Sequence, residues 1–141
     1  MTTLEAGLRH SATLAVTNGL TVPEVSPSFP AFADMPRVFA TAYLVGFIEA
    51  TCIEALHPYL AGGEGTVGTH IDVSHCAATP VGMTVLAEVE LIGVEGRKLR
   101  FRVQCRDERD VIAEGFHERV IIDRDRFMTR ILDKAVPHRN G

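Results

Sequence analysis

The chain has 141 residues, 46% of them hydrophobic and 23% charged, and a formal net charge of −4. That length makes one domain, residues 1–141, with room for a real core, and the acidic balance excludes the basic stripe that a nucleic-acid partner demands. There is no Trp, and the seven Phe and two Tyr do not interleave with basic residues as a base-stacking platform would.

In chain order, residues 8–17 read as a first strand that ends at Asn18-Gly19. Residues 21–36 carry Pro23, Pro27, Pro30 and Pro36, which forbid a regular ladder yet stiffen the path. With Phe29, Phe32 and Met35 this segment reads as a lid-like loop over something apolar. A helix is predicted from near Arg37, just after Pro36, to Leu56, stopped by Pro58 and Gly62-Gly63. Glu49 and Glu54 interrupt its apolar run, and each acid near a bilayer centre would cost roughly 2.5 kcal/mol or more. The helix is therefore expected inside a soluble domain, with no membrane partner.

Strands are predicted over 67–78, 83–94, 97–106 and 111–123, with turns at Thr79-Pro80-Val81-Gly82 and Glu95-Gly96. In the third of these Leu99, Phe101, Val103 and Cys105 face in, while Lys98, Arg100, Arg102 and Gln104 face out toward Glu88, Glu90, Glu114 and Glu118. The period of 111–123 is muddled and assigns no face to Glu114, His117 or Arg119. A short amphipathic helix is expected over 124–134 and a loose tail over about 135–141. This is an α+β plan, an antiparallel five-stranded sheet wrapped around one long helix.

The three cysteines show neither Cys-x-x-Cys nor zinc-ligand spacing, so no metal is expected and Cys52 and Cys105 read as small core residues. Gly62-Gly63-Glu64-Gly65 lacks the Lys-Ser/Thr of a phosphate cradle and reads as a turn. An odd cysteine count and a polar N-terminus without a signal peptide's apolar run lead to a cytoplasmic expectation.

Glu49 stands where a carboxylate is expensive. On a helix its neighbours at three and four residues are Val45, Gly46, Cys52 and Ile53, with Ala42 and Leu56 seven away, all apolar or small. Such a carboxylate needs a partner, a proton or a function; the blander reading is a Glu that merely hydrogen-bonds a loop. His75 sharpens the case. Val67, Thr69, Ile71, Val73, His75 and Ala77 alternate toward one side, and Gly68, His70, Asp72, Ser74 and Cys76 toward the other. A lone His on an apolar face is usually a satisfied core residue. A His and a Glu aimed at one interior are explained together by acid–base chemistry.

Three phrases carry a resemblance: Phe32-Ala33-Asp34-Met35-Pro36-Arg37-Val38-Phe39-Ala40-Thr41, then Val45-Gly46-Phe47-Ile48-Glu49, then Gly63 to Thr69 running into His75-Cys76-Ala77-Ala78-Thr79-Pro80-Val81-Gly82-Met83. Over roughly residues 20–125 the chain resembles the hot-dog-fold acyl-CoA thioesterases, in particular the fluoroacetyl-CoA thioesterase family. The resemblance implies a catalytic set of Thr41, Glu49 and His75, and substrate contacts from Gly68 and Arg119. Phe32 matches one aromatic of that family's lid, while Met35 stands at the second aromatic position, where a flexible thioether makes a less discriminating gate.

The expected activity is hydrolysis of a short-chain acyl-CoA, with coenzyme A as part of the substrate and no cofactor. Arg119, with Arg37, is the cation expected to meet an anionic part of that substrate. A hot-dog dehydratase or hydratase of 3-hydroxyacyl thioesters is the nearest enzyme alternative, disfavoured because the His follows the helix. A non-catalytic acyl-CoA or small-acid binding module is the other. One helix does not cover five strands, and an uncovered edge invites pairing, so a homodimer is expected, as the resemblance also implies.

Overall fold

The structure, a computed structural model, describes residues 3–137; most of the loose tail expected over 135–141 lies outside the described residues. Its order is β1 (Arg9–Ala15), α1 (Thr41–Leu56), β2 (Glu64–Val73), β3 (Thr84–Glu95), β4 (Lys98–Arg106), β5 (Val111–Asp123) and α2 (Arg124–Ala135). The strands form one five-stranded antiparallel sheet in the order β1-β3-β4-β5-β2. The sheet wraps α1, as the pattern implied.

Helix α1 presents one stripe to the sheet. Leu44, Ile48, Thr51, Cys52, Ala55 and Leu56 are buried, a spacing of three and four that keeps them on one side. They meet Val85, Ala87, Val89 and Leu91 of β3 and Leu99, Phe101, Val103 and Cys105 of β4. Each fully buried Leu or Ile in that layer contributes about 2 kcal/mol. On the outer face Arg100 pairs with Glu118 at 3.3 Å and Arg102 with Glu90 at 3.3 Å, and Gln104 donates to Glu114 at 2.9 Å. These are the cross-strand pairs expected of a solvated face, each worth little alone.

The helix begins at Thr41 rather than near Arg37. Residues 38–40 are instead held extended: Val38 bridges Pro80, Phe39 N donates to Thr79 O at 2.9 Å, and Ala40 N donates to Leu20 O at 3.0 Å. Backbone bonds to two other segments outcompete the first helical turn. The proline-rich loop folds into short 3-10 turns at Val22–Glu24 and Pro30–Phe32, each with proline in the opening positions, where the missing N–H costs nothing.

Strand β2 spans Glu64–Val73 rather than 67–78, so His75 lies just beyond the strand. The expected two-faced alternation also fails at one point. Gly68 is paired with Arg119 and His70 with Glu118, leaving Thr69 as an extra residue. This bulge changes parity: Gly68 now shares the face of Ile71, Val73 and His75 instead of opposing it. A second bulge explains the muddled period of β5. Cys105 pairs with Ala113 and Arg106 with Val111, so Ile112 is the extra residue, and both Ile112 and Ala113 are buried.

Candidate active site

The residues singled out from sequence meet α1 at two places. The first is its N-terminus, where Thr41 Oγ1 lies 2.7 Å from His75 Nδ1. His75 is held there because the ladder continues past β2: Ser74 N donates to Glu114 O at 2.9 Å and Cys76 N to Ile112 O at 2.8 Å. Thr79 braces the helix start from the other side. Its carbonyl accepts from Phe39 N, and its hydroxyl donates to buried Asp107 at 2.8 Å, whose other oxygen accepts from Arg109 N and Asp110 N at 2.8 Å each.

His75 is half-buried, and burial lowers its pKa from the usual imidazole value, so the ring is neutral at pH 7. For Thr41 to donate, Nδ1 must be the bare nitrogen and Nε2 must carry the hydrogen. That Nε2 is shielded and has no partner within the described residues. A hydroxyl that donates to a neutral imidazole has the arrangement that nucleophile-and-base chemistry requires.

The second place lies eight residues along the helix, about 12 Å of rise. There Glu49 Oε2 accepts from Arg119 Nη1 at 2.9 Å. The two partners differ sharply in burial: the Arg119 side chain is 3% exposed and that of Glu49 is 40% exposed. Glu49 therefore sits at the margin of the buried stripe, not within it. Of its six helical neighbours only Cys52 and Leu56 are buried, while Ile53 is exposed.

Arg119 is neither a solvated cation nor a free one. Its Nε donates to Thr66 Oγ1 at 2.9 Å, its Nη2 to Thr66 O at 2.9 Å, and its Nη1 also approaches His117 Nε2 at 3.1 Å. Its charge is matched by Glu49, and its side chain is 3% exposed. Arg37, 54% exposed, donates from Nη1 to Asn18 at 3.0 Å and to Glu24 at 3.1 Å and ties down the proline-rich loop.

Gly68 lets the Glu49, Arg119 and His117 side chains close on one another. A Cβ there would lie 2.7 Å from Glu49 Oε2 and 3.2 Å from both Arg119 Nη1 and His117 Cε1. Beside this cluster opens a groove of about 390 Å³ between α1 and β2, lined by Val45, Glu49, Gly68, His70, Ile71 and His117, among others. Beneath it, burial pushes the Cys52 thiol up to about 12, as it does Cys105, so both are inert core residues.

Of the residues singled out from sequence, Thr41 joins His75, and Glu49, Gly68 and Arg119 form one contact cluster. No hydrogen bond links Glu49 to His75 among the described residues; each has a different partner. Phe32 packs edge-to-face on Phe29 with ring centroids 5.7 Å apart, and Met35 is 45% exposed; neither lines the groove. The reading missed His117, fully covered beneath Arg119. Period two counted back from Arg119 would have placed it on the same face, had the bulge at Ile112 not blurred the strand.

Among the described residues there is no cluster of three His, Cys, Asp or Glu that could hold a metal, and no helix is long and apolar enough to cross a membrane. A match to the family described as fluoroacetyl-CoA-specific thioesterase, FlK, spans residues 21–125. A fluoroacetyl-CoA thioesterase of Streptantibioticus cattleyicolor is 43% identical over 132 residues, covering 94% of this chain and 95% of that protein. A solved structure of the fluoroacetyl-CoA thioesterase FlK superposes with a TM-score of 0.91 at 42% identity, over 95% of this chain and 98% of that one. A thioesterase superfamily member from Thermus thermophilus superposes at 0.81 with 26% identity, over 96% and 97% of the two chains.

Proposed function

The chain belongs to the fluoroacetyl-CoA thioesterase family and is an acyl-CoA thioesterase of the hot-dog fold, and from that premise we propose that it hydrolyses short acyl-CoA esters with Thr41, His75 and Glu49. The observation that carries the residue assignment is the 2.7 Å contact of Thr41 Oγ1 with His75 Nδ1. His75 takes the hydroxyl proton as Thr41 Oγ1 attacks the thioester carbon, and returns it to the departing sulfur of coenzyme A. Water then attacks the acyl carbon as His75 takes one of its protons, and His75 returns that proton to Thr41 Oγ1 as the ester bond breaks and the free acid leaves. The steps need only these side chains and water, so no cofactor is assigned.

The acyl end points along α1 toward Glu49. Oε2 of that residue is tied to Arg119, which leaves Oε1 for a water or for a polar substituent on the acyl group. Arg119 and Gly68 shape this wall from behind. Fluoroacetyl-CoA, the substrate named for the relatives, is the first candidate. Phe32 and Met35 close over the groove from the proline-stiffened loop once substrate is bound.

The functional form is a homodimer in a reducing cytoplasm. Strand β2 is a sheet edge, and exposed Ile71 and Ile53 beside it favour pairing with a second copy. All three cysteines are free, which suits that compartment. Release of free thiol from a panel of acyl-CoAs by wild type, Thr41→Ala, His75→Ala and Glu49→Gln tests the assignment. Loss of turnover with retained substrate binding is expected; wild-type rates in all three folded variants would remove these residues from the chemistry.

A further inference from the structure

Resting on the reading of the Glu49 end as the acyl-binding wall, we infer that His117 is a positioning residue for Arg119: as its neutral Nδ1–H tautomer it takes one Nη1 hydrogen of the guanidinium, and on gaining a proton it releases the Arg119–Glu49 pair. The tautomer follows from the partners. A carbonyl only accepts, so Nδ1, 2.7 Å from His70 O, carries the hydrogen. A guanidinium only donates, so Nε2, 3.1 Å from Arg119 Nη1, is bare. Both ring nitrogens are thus used in the single assignment their partners allow.

The same contacts aim the guanidinium. Nη1 has two hydrogens in the guanidinium plane; with one directed at His117, the other points to Glu49 Oε2 at 2.9 Å. Thr66 holds the opposite edge through Nε and Nη2. His117 is 2% exposed, so water cannot take over its acceptor role. The ring, the guanidinium and the carboxylate all abut Gly68, leaving little slack for Arg119 to swing.

A proton on Nε2 would set a donor against a donor and a positive ring against a positive guanidinium. The groups facing His117 are Glu49 from α1, Arg119 from its own strand and the His70 carbonyl from β2, while Glu118 acts from the opposite face of the sheet, where it pairs with Arg100; Phe101, its partner on β4, carries no charge. Burial is the largest influence and lowers the imidazole pKa, Arg119 lowers it further, and the His70 bond with Glu49 and Glu118 opposes them. The proton therefore enters only on the acid side of the ordinary imidazole range, where His75 also titrates.

The test compares wild type, His117→Asn and His117→Gln, with kcat and KM for fluoroacetyl-CoA and acetyl-CoA measured from about pH 5 to about pH 8. Asn keeps a donor near Nδ1 but offers Arg119 no acceptor, and kcat/KM should fall about tenfold. Gln places a carbonyl oxygen near Nε2 and should stay within about threefold of wild type. The acid limb should steepen to two protons in wild type and fall to one, that of His75, in both variants. Variants that lose thermal stability but keep the wild-type limb and kcat/KM would overturn the inference. Imidazole nitrogen NMR reads the tautomer without turnover. The Nδ1–H form at pH 7, with Arg119 side-chain signals shifted in Asn but not in Gln, supports it; an Nε2–H or charged ring refutes it. If wild type releases no thiol from any acyl-CoA, the thioesterase site reading fails, while the NMR result still decides the His117–Arg119 relation.

Discussion

Gly68→Ala is a one-methyl probe of the proposed acyl-binding wall. The added Cβ would stand 2.7 Å from Glu49 Oε2, 3.2 Å from Arg119 Nη1 and 3.2 Å from His117 Cε1. An ordinary C···O approach is about 3.3 Å or more, so the carboxylate must retreat by roughly 0.6 Å. Glu49 has room, since its side chain is 40% exposed, but Arg119 at 3% exposed cannot follow. The 2.9 Å bond between them is therefore the contact that gives. Gly68 carries no left-handed φ, so the methyl and not the backbone is the cause of any effect. Because the partly exposed pair stabilises the fold only weakly, the loss of stability should be about 1 kcal/mol or less. Activity should suffer more, because misplacing a group by a large part of an ångström costs about tenfold to a hundredfold in rate. The assay is thiol release, with Tm from thermal unfolding beside it. Wild-type kcat/KM in a Gly68→Ala protein would refute the idea that this wall positions the acyl group.

Asp107→Ala removes the acceptor of two backbone N–H groups and of Thr79 and should lower stability by about 2 kcal/mol in chemical denaturation. Burial alone would raise the Asp107 pKa, but the Arg109 and Asp110 amides and Thr79 hold it below the ordinary carboxylate value. Its contribution is thus complete above the unfolded-state pKa and fades as pH falls toward the folded one; a wild-type stability profile in the alanine variant would contradict this. Gly115→Ala drives a methyl onto the Asp72 carbonyl oxygen and should part β2 from β5, read as loss of soluble folded protein; a normal Tm would refute it. Met35→Phe should narrow the acyl range without changing Tm, since Met35 is largely exposed; unchanged relative kcat/KM across an acyl-CoA panel would make Met35 packing alone.

Elements were legible where one periodicity ran unbroken. Strand β4 keeps strict alternation, and Leu99, Phe101, Val103 and Cys105 are all buried as read. The apolar run ending at Pro58 located α1, although local proline rules could not anticipate that Thr79 and Leu20 would hold residues 38–40 extended. Faces were lost at bulges. Thr69 and Ile112 are extra residues with no compositional mark, and each reverses parity for everything on one side of it. Glu49 stood out because its helical neighbours are apolar, but its partner Arg119 is brought in by a sheet register that sequence spacing does not encode. The expectation that Arg119 meets an anionic part of the substrate rested on its charge and on the resemblance; its burial and its pairing with Glu49 were not legible in the sequence.

The central claim is that His75 activates Thr41 for attack on an acyl-CoA thioester. The most direct measurement is pre-steady-state thiol release with rapid quench and mass analysis of the protein, in wild type, Thr41→Ala and His75→Ala, across neutral to acid pH. The account predicts an acyl adduct on Thr41 in wild type, none in Thr41→Ala, and a rate in His75→Ala lower by about a hundredfold or more. It further predicts that wild-type release is full above the ordinary imidazole pKa and declines only below it, since burial lowers the His75 value. Undiminished thiol release from both folded variants would contradict it.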